Sequence, residues 1–182
     1  MDVESNMLLG KELRWWLRGV DYFGDMETYI ESRKLFNEFI RDGDRVIDLG
    51  CGNGFLLYLL LSYHAKKFIP YGIDINPERI LWAKKLLNNF PSNFYCQNIF
   101  EGQWCSRFFD VVIAPLDNNC KFLSLVEIYK KYNNSVRILF YLYDDDYSNF
   151  NIMEKIVDKY FSKSLEIKQI QKRKTIKIIS IF

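Results

Sequence analysis

Residues 46–54 read VIDLGCGNG, and this stretch decides the fold of the chain. An apolar pair leads into Asp48, three glycines follow at alternate positions (Gly50, Gly52 and Gly54), and the apolar run FLLYLLL begins at Phe55. The pattern predicts a buried strand, a tight turn that needs glycine's backbone freedom, and the start of a helix. Because a helix N-terminus presents unpaired backbone N–H groups, the turn suits a nucleotide-like ligand at the carboxyl end of the strand.

The spacing of the glycines and the acid before them narrow the choice of nucleotide. A dinucleotide fingerprint, G-x-G-x-x-G, counted from Gly50, would need a glycine where Phe55 stands. Asp48 would also repel a pyrophosphate, but not a ligand that carries ammonium and sulfonium charges. The segment YGIDINPERI, residues 71–80, predicts a second strand that ends at Asp74. A carboxylate at that strand end suits the two hydroxyls of a ribose.

These two motifs resemble the class I S-adenosylmethionine (SAM) methyltransferase family, whose first motif reads roughly hydrophobic-hydrophobic-D/E-hydrophobic-G-x-G-x-G. The resemblance runs from about residue 45 to the C-terminus and is weakest at the substrate end. It implies SAM as cofactor, with the ribose at Asp74 and the adenine against Ile75. The loop at the methionine end of SAM would consist of Asp48, Gly50, Cys51, Gly52, Asn53 and Gly54.

Downstream positions depart from the family pattern. Asn98 stands where the family usually has an aspartate that binds the adenine amino group, and an amide oxygen can still accept that hydrogen bond. Ile99 would contact the ring through its backbone. Family members that methylate amino groups of bases or glutamine usually carry an N/D-P-P-aromatic tetrad where this chain has APLD, residues 114–117. Of that tetrad only Pro115 is kept, and the resemblance implies that Pro115 contacts the cofactor at the mouth of the site. The resemblance therefore does not favour a nucleobase amino group as acceptor, and Asp117 is interpreted as a helix N-cap or a general base.

Alternating strand and helix patterns predict an α/β fold with a doubly wound, mostly parallel, seven-stranded sheet and a C-terminal antiparallel hairpin. The hairpin would consist of LEIKQIQ and TIKIISIF, joined by a polar turn. Asn76 and Pro77 predict a helix start, and strand two is expected to begin after Pro70 because proline cannot donate within a strand. Predicted strands are 45–49, 71–75, 94–97, 108–114 and 136–143, and predicted helices are 7–18, 27–41, 54–63, 77–88, 120–132 and 149–161.

Length and composition point to a single domain, residues 1–182, with an N-terminal helical cap over 1–41 and a Rossmann-like core over 42–182. The chain is 49% hydrophobic, and its net charge of +2 is too small to imply nucleic acid by itself. No apolar run reaches the roughly 18 residues of a membrane span, and the acidic start does not resemble a signal peptide. The cysteines lack C-x-x-C spacing, so free thiols in a reducing cytoplasm are expected.

Several other residues could take part in function, but each also has a purely structural interpretation. Asp117 and the run Asp144, Asp145 and Asp146 could gather a divalent cation, as in catechol-type O-methyltransferases, but the surrounding motifs do not match and no metal is expected. His64 is interpreted as a surface residue. The N-terminal aromatic residues could pack on the sheet or shape the pocket, an alternative left open for Tyr22 and Tyr29.

The expected function is methyl transfer from SAM, by direct displacement, to an unidentified acceptor that is a small molecule or an exposed protein or RNA group. Catalysis would depend mainly on holding donor and acceptor close and in line. Two alternatives stay open at this point: a catalytically degenerate SAM-binding partner subunit and an NAD(P)-dependent oxidoreductase. The acceptor atom, the use of a general base and the oligomeric state are not determined by the sequence.

Overall fold

Helices and strands alternate in the computed structural model, which describes residues 26–62, 66–101, 104, 107–115, 136–142, 165–169 and 177–181. The helices are α1 (Met26–Arg33), α2 (Phe55–Ser62) and α3 (Pro77–Leu86). The strands are β1 (Arg45–Leu49), β2 (Ile69–Asp74), β3 (Phe94–Cys96), β4 (Val111–Pro115), β5 (Arg137–Leu142), β6 (Leu165–Gln169) and β7 (Lys177–Ile181). The helices predicted at 7–18, 120–132 and 149–161 lie outside the described residues.

The strands form one seven-stranded sheet in the order β3-β2-β1-β4-β5-β7-β6. The five strands from β3 to β5 are parallel, and β7 runs antiparallel to both β5 and β6. The α/β Rossmann-like prediction is therefore confirmed, and β6 and β7 provide the predicted antiparallel pair. Because β1 lies between β2 and β4, the strand order reverses there. Such a reversal opens a crevice at the carboxyl ends of the strands, where ligands bind in α/β sheets.

The core holds β1 and α2 rigidly on either side of the glycine loop. Val46, Ile47 and Leu49 of β1 have no exposed surface, as expected for a strand covered on both faces. Helix α2 is apolar on almost every side, and Phe55, Leu57 and Leu59 are likewise fully buried. The segment between β1 and α2 is thus fixed at both ends by buried structure.

Strand β2 corrects one prediction, because it begins at Ile69 and includes Pro70. The N–H of Ile69 donates to Asp44 O (2.8 Å), which directs this residue toward β1. In a strand with parallel neighbours, the next residue faces the other side, where β3 pairs only from Gly72 onward. Pro70 therefore lies where no neighbouring strand needs an N–H donor, and its carbonyl accepts from Asn93 Nδ2 (3.0 Å).

The predicted helix 27–41 also needs correction, since α1 ends at Arg33 and a 3-10 segment follows over Lys34–Glu38. The N–H groups of Phe39 and Ile40 both donate to Phe36 O (3.1 and 3.2 Å). This tighter winding accompanies burial of all three side chains in the core. The other predicted boundaries agree with the structure to within three residues, and the largest difference is at the start of β4.

The amino-terminal edge of the sheet holds a buried ion pair that the sequence patterns did not reveal. Arg137 Nη2 lies 2.6 Å from Asp44 Oδ1, and Arg137 Nη1 donates to Phe39 O (2.5 Å). The other Asp44 oxygen accepts from Arg41 N (2.6 Å). These contacts fasten the chain entering β1 to β5, at the edge opposite the glycine loop.

The described residues also bear on the membrane and disulfide expectations. No helix in the described ranges combines the length and the apolar character that a bilayer crossing demands. Cys51 is a buried free thiol and Cys96 an exposed one.

Candidate functional site

The glycine loop connects β1 to α2 with a backbone that only glycine adopts readily. Gly50, Gly52 and Gly54 have φ angles of 78°, 55° and 77°, all in the left-handed region. The N–H groups of Gly50 and Cys51 both donate to Ile73 O (2.8 and 2.9 Å). The loop is therefore attached to the carboxyl end of β2 by its main chain, and the alternate glycines are required by its conformation.

Two predicted loop residues, Cys51 and Asn53, face inward and support the turn. They are 2% and 1% exposed. Cys51 O accepts from Gly54 N (2.9 Å), and Asn53 Oδ1 accepts from Phe55 N (3.3 Å), the first residue of α2. A Cβ on Gly54 would lie 3.1 Å from Ala83 Cβ, so this glycine also allows α2 to approach α3 closely. Cys51 and Asn53 therefore support the loop from its buried side.

Asp74 joins the ends of β1 and β2 in one site. Its Oδ2 accepts from Gly52 N (2.9 Å), and its Oδ1 accepts from Asn76 N (2.8 Å). Each carboxylate oxygen keeps a second acceptor position. Asn76 caps α3 by accepting from Glu78 N and Arg79 N, as predicted, so Asp74 is not needed as the cap.

Asp48 is a buried carboxyl beside this pair. It is 2% exposed, and its Oδ1 has no hydrogen-bond partner. Burial and, to a smaller extent, repulsion from Asp74 raise the pKa of Asp48 to about 7, although the positive charge of Arg33 opposes the increase. An unpartnered, buried acceptor oxygen under a glycine loop fits an ammonium donor, so the loop residues are compatible with the amino-acid end of SAM.

Two of the three predicted adenine contacts lie at a cleft of about 600 Å³ beside β3 and the loop that follows it. Ile75 is 71% exposed, and both Ile75 and Asn98 line this cleft. Asn98 Oδ1 accepts from Phe100 N (3.0 Å), and Ile99 O accepts from Trp104 Nε1 (2.7 Å). The structure thus brings Ile75 and Asn98 together, and it turns the Ile99 carbonyl toward Trp104.

Of the remaining predicted positions, Pro115 is one that the structure describes. Pro115 is the last residue of β4, opposite Tyr141 of β5 in the parallel register. Asp117, the run 144–146 and His64 lie outside the described residues. Within the part of the chain that the structure describes, no three His, Cys, Asp or Glu side chains gather where they could hold a metal ion.

Sequence reasoning missed Gly72, which lets the loop pack on β2. A Cβ built there would lie 2.7 Å from Cys51 Sγ and 2.7 Å from Phe94 Cδ1. An isolated glycine inside a strand is the available signal, since it often marks a close approach of other groups.

Sequence reasoning also missed Arg33, which is 2% exposed. Its guanidinium carbon lies 4.0 Å from the ring centroid of Tyr29. That ring stacks on Phe55 with centroids 5.6 Å apart. Tyr29 therefore packs in the core, and the Tyr–Arg spacing of four on α1 was the signal available in the sequence.

Comparison with known proteins agrees with this geometry. Residues 40–175 match the family model described as "Methyltransferase domain". A curated relative, ribosomal protein L11 methyltransferase of Lachnospira eligens, is 38% identical over 62 residues, which are 34% of this chain and 19% of that protein. The matched segment spans about a fifth of the relative's length.

Solved structures share the fold at low sequence identity. Precorrin-6y C5,15-methyltransferase of Geobacter metallireducens GS-15 has a TM-score of 0.62 and 11% identity, covering 84% of this chain and 87% of that chain. TrmK of M. capricolum, solved in complex with the cofactor product S-adenosyl-homocysteine (SAH), has a TM-score of 0.55 and 15% identity, covering 82% and 66%. Because the family model matches most of the chain, the NAD(P)-dependent alternative loses its support. The chain belongs to the class I SAM-dependent methyltransferase family.

Proposed function

We propose that the protein transfers the methyl group of SAM directly to an acceptor nucleophile, and that the ends of β1 and β2 hold the cofactor. The observation that supports this most is the joining of Asp74 to Gly52 beside the unpartnered Asp48 oxygen. A ribose and an amino-acid tail need these acceptor groups at neighbouring strand ends. We further propose that residues 1–182 act as one cytoplasmic domain, in which 1–41 forms the helical cap.

Each part of the cofactor then has a place in the proposed site. The ribose hydroxyls donate to the second acceptor positions of Asp74. The α-ammonium of the methionine moiety donates to Asp48, and the glycine loop lets the tail approach the main chain. The adenine lies in the cleft on Ile75, near Asn98. SAM supplies the methyl group, while the protein's residues fix the position of the sulfonium relative to the acceptor.

For the methyl acceptor we propose a range of chemical classes and not one compound. The curated relative's name refers to ribosomal protein L11, but only 62 residues of similarity support the link. The APLD segment departs from the tetrad of base-amino methylases, which disfavours that acceptor. The proposal therefore includes small molecules and exposed protein or RNA groups.

Calorimetric titration with SAM and SAH tests the cofactor site. We expect micromolar affinity for both, with no binding of NAD. Asp74→Ala should weaken SAH binding by ~1.5–3 kcal/mol, the range for hydrogen bonds to a charged group. Glu78→Ala, which removes an exposed carboxylate four residues away, serves as the control and should leave the affinity unchanged. An unchanged dissociation constant for Asp74→Ala would contradict the ribose assignment.

Transfer of labelled methyl groups tests the activity. Cell extract is separated into metabolites, ribosomal proteins and RNA, and each fraction is incubated with the protein and methyl-labelled SAM. We expect label in one fraction with the wild type and much less with Asp74→Ala at a SAM concentration near the wild-type dissociation constant. Binding of SAM without label in any fraction would contradict the proposed transfer.

A further inference from the structure

Asn98 follows β3 and holds the short 3-10 turn that comes after this strand. Its Oδ1 accepts from Phe100 N (3.0 Å), and its main-chain oxygen accepts from Glu101 N (3.1 Å). Because an N–H group needs an acceptor, the atom that faces Phe100 is the oxygen of the amide and not its nitrogen. These bonds fix which end of the Asn98 side chain belongs to the turn.

The nitrogen end of the same amide is left for a ligand. Among the residues that the structure describes, Asn98 Nδ2 has no hydrogen-bond partner, although an amide nitrogen carries two donors. Asn98 lines the cleft together with Ile75, whose side chain is 71% exposed. A ligand that covers Ile75 also takes water from the neighbouring amide, and a buried N–H without an acceptor is unfavourable. The ligand is therefore expected to turn an acceptor toward Nδ2.

Two kinds of purine meet this requirement. Adenine has a 6-amino donor flanked by the ring acceptors N1 and N7, whereas hypoxanthine has a 6-oxo acceptor at the same place and keeps N7. A carboxylate beside position 6 would accept from the amino group and repel the oxo group. Asn98 Oδ1 keeps one acceptor position, but it is uncharged and already accepts from Phe100, so it selects the amino group less strongly. The Nδ2 donors find an acceptor on either base.

We propose that Asn98 contacts the base of the cofactor as a hydrogen-bond donor, so that the site binds the 6-amino and 6-oxo purine forms of SAH with similar affinity. This assignment rests on the proposed function, because it takes the cleft as the place of the base. It differs from what the family resemblance implies for this position, where an acid accepts from the amino group. Asn98 is therefore a specificity-determining residue that relaxes the choice of purine.

The test compares SAH with the analogue in which hypoxanthine replaces adenine. Calorimetry gives both dissociation constants, and the wild type should bind the two ligands within ~10-fold of each other. Asn98→Asp keeps an acceptor for Phe100 N and exchanges the amino group for a charged oxygen. It should raise the preference for SAH by ~10- to 100-fold, as expected for a hydrogen bond to a charged group. Glu101→Gln, which neutralises another carboxylate of the same cleft, is the control and should leave the wild-type preference unchanged.

Each outcome decides the proposal. A wild-type preference for SAH above ~10-fold would mean that an acceptor selects the 6-amino group, and it would overturn the donor role. This comparison needs no variant, so it decides the matter even if circular dichroism shows that Asn98→Asp does not fold. In folded Asn98→Asp, an increase in preference below ~10-fold would overturn the contact with position 6. If the folded wild type binds neither ligand, the proposed function itself fails, a result distinct from tight binding of SAH alone.

Discussion

Asp48→Asn should change how the stability of the ligand-free protein depends on pH. Burial holds the pKa of Asp48 at about 7 instead of its ordinary 3.8, so the folded state binds a proton that the unfolded state has released between those values. Asp48 therefore contributes most to stability below pH 4, and that contribution is lost as the pH rises through 7. Because Asp48 is only 2% exposed, solvent screening reduces this effect little.

The size of the effect follows from the two pKa values. Each pKa unit corresponds to about 1.4 kcal/mol, so the full contribution is ~4 kcal/mol. Between pH 5 and pH 8 the free energy of unfolding should fall by ~2.5 kcal/mol through this one group. An asparagine of nearly the same shape carries no charge at either pH, so the variant lacks this decline.

Urea unfolding followed by tryptophan fluorescence at pH 5 and pH 8 measures the difference. The unfolding free energy of Asp48→Asn minus that of the wild type should be ~2.5 kcal/mol larger at pH 8 than at pH 5. Glu27→Gln, which neutralises an exposed carboxylate on α1, should show no such gain. Parallel pH dependence in wild type and Asp48→Asn would refute the reasoning.

Three further outcomes are expected. Gly72→Ala should destabilise the fold by ~1–3 kcal/mol, because its Cβ would lie 2.7 Å from Cys51 Sγ, and Cys51→Ala in the same protein should recover part of the loss in urea unfolding. Asp44→Ala should lower the unfolding free energy by ~3–5 kcal/mol, because it leaves Arg137 buried without its carboxylate partner. Adding Arg137→Met should restore part of the lost unfolding free energy in urea unfolding. Purely additive losses from the two substitutions would argue against an energetic coupling between Asp44 and Arg137. SAH affinity should be the same with EDTA as with added magnesium, and a loss that magnesium reverses would reveal a metal requirement.

Local patterns in the sequence predicted the features that depend on neighbouring residues. The strand, glycine turn and helix from Val46 to Ser62 follow from hydrophobic runs and backbone freedom, and the start of α3 follows from Asn76 and Pro77. Asp74 was identified because it ends an apolar strand. These signals lie within a few residues of the structure that they specify.

Features that depend on distant parts of the chain were missed or misjudged. The contact between Arg137 and Asp44 joins residues 93 positions apart, and no local pattern indicates it. Pro70 is compatible with β2 only because β3 is shorter on that side, a fact of sheet register. Arg33 was overlooked because an arginine in an amphipathic segment is most often solvated, and its burial depends on packing between α1 and α2.

The place of β7 in the sheet has a consequence for synthesis of the protein. β7 follows β6 in the sequence, yet it lies between β5 and β6 and is the neighbour through which β6 joins the sheet. While the ribosome has released only the residues before 177, one edge of β5 and all of β6 lack their partner. Unpaired strand edges invite association with other chains. A nascent chain stalled before β7 would therefore present two open edges to chaperones and proteases, and closure of the sheet must wait until residue 181 has emerged.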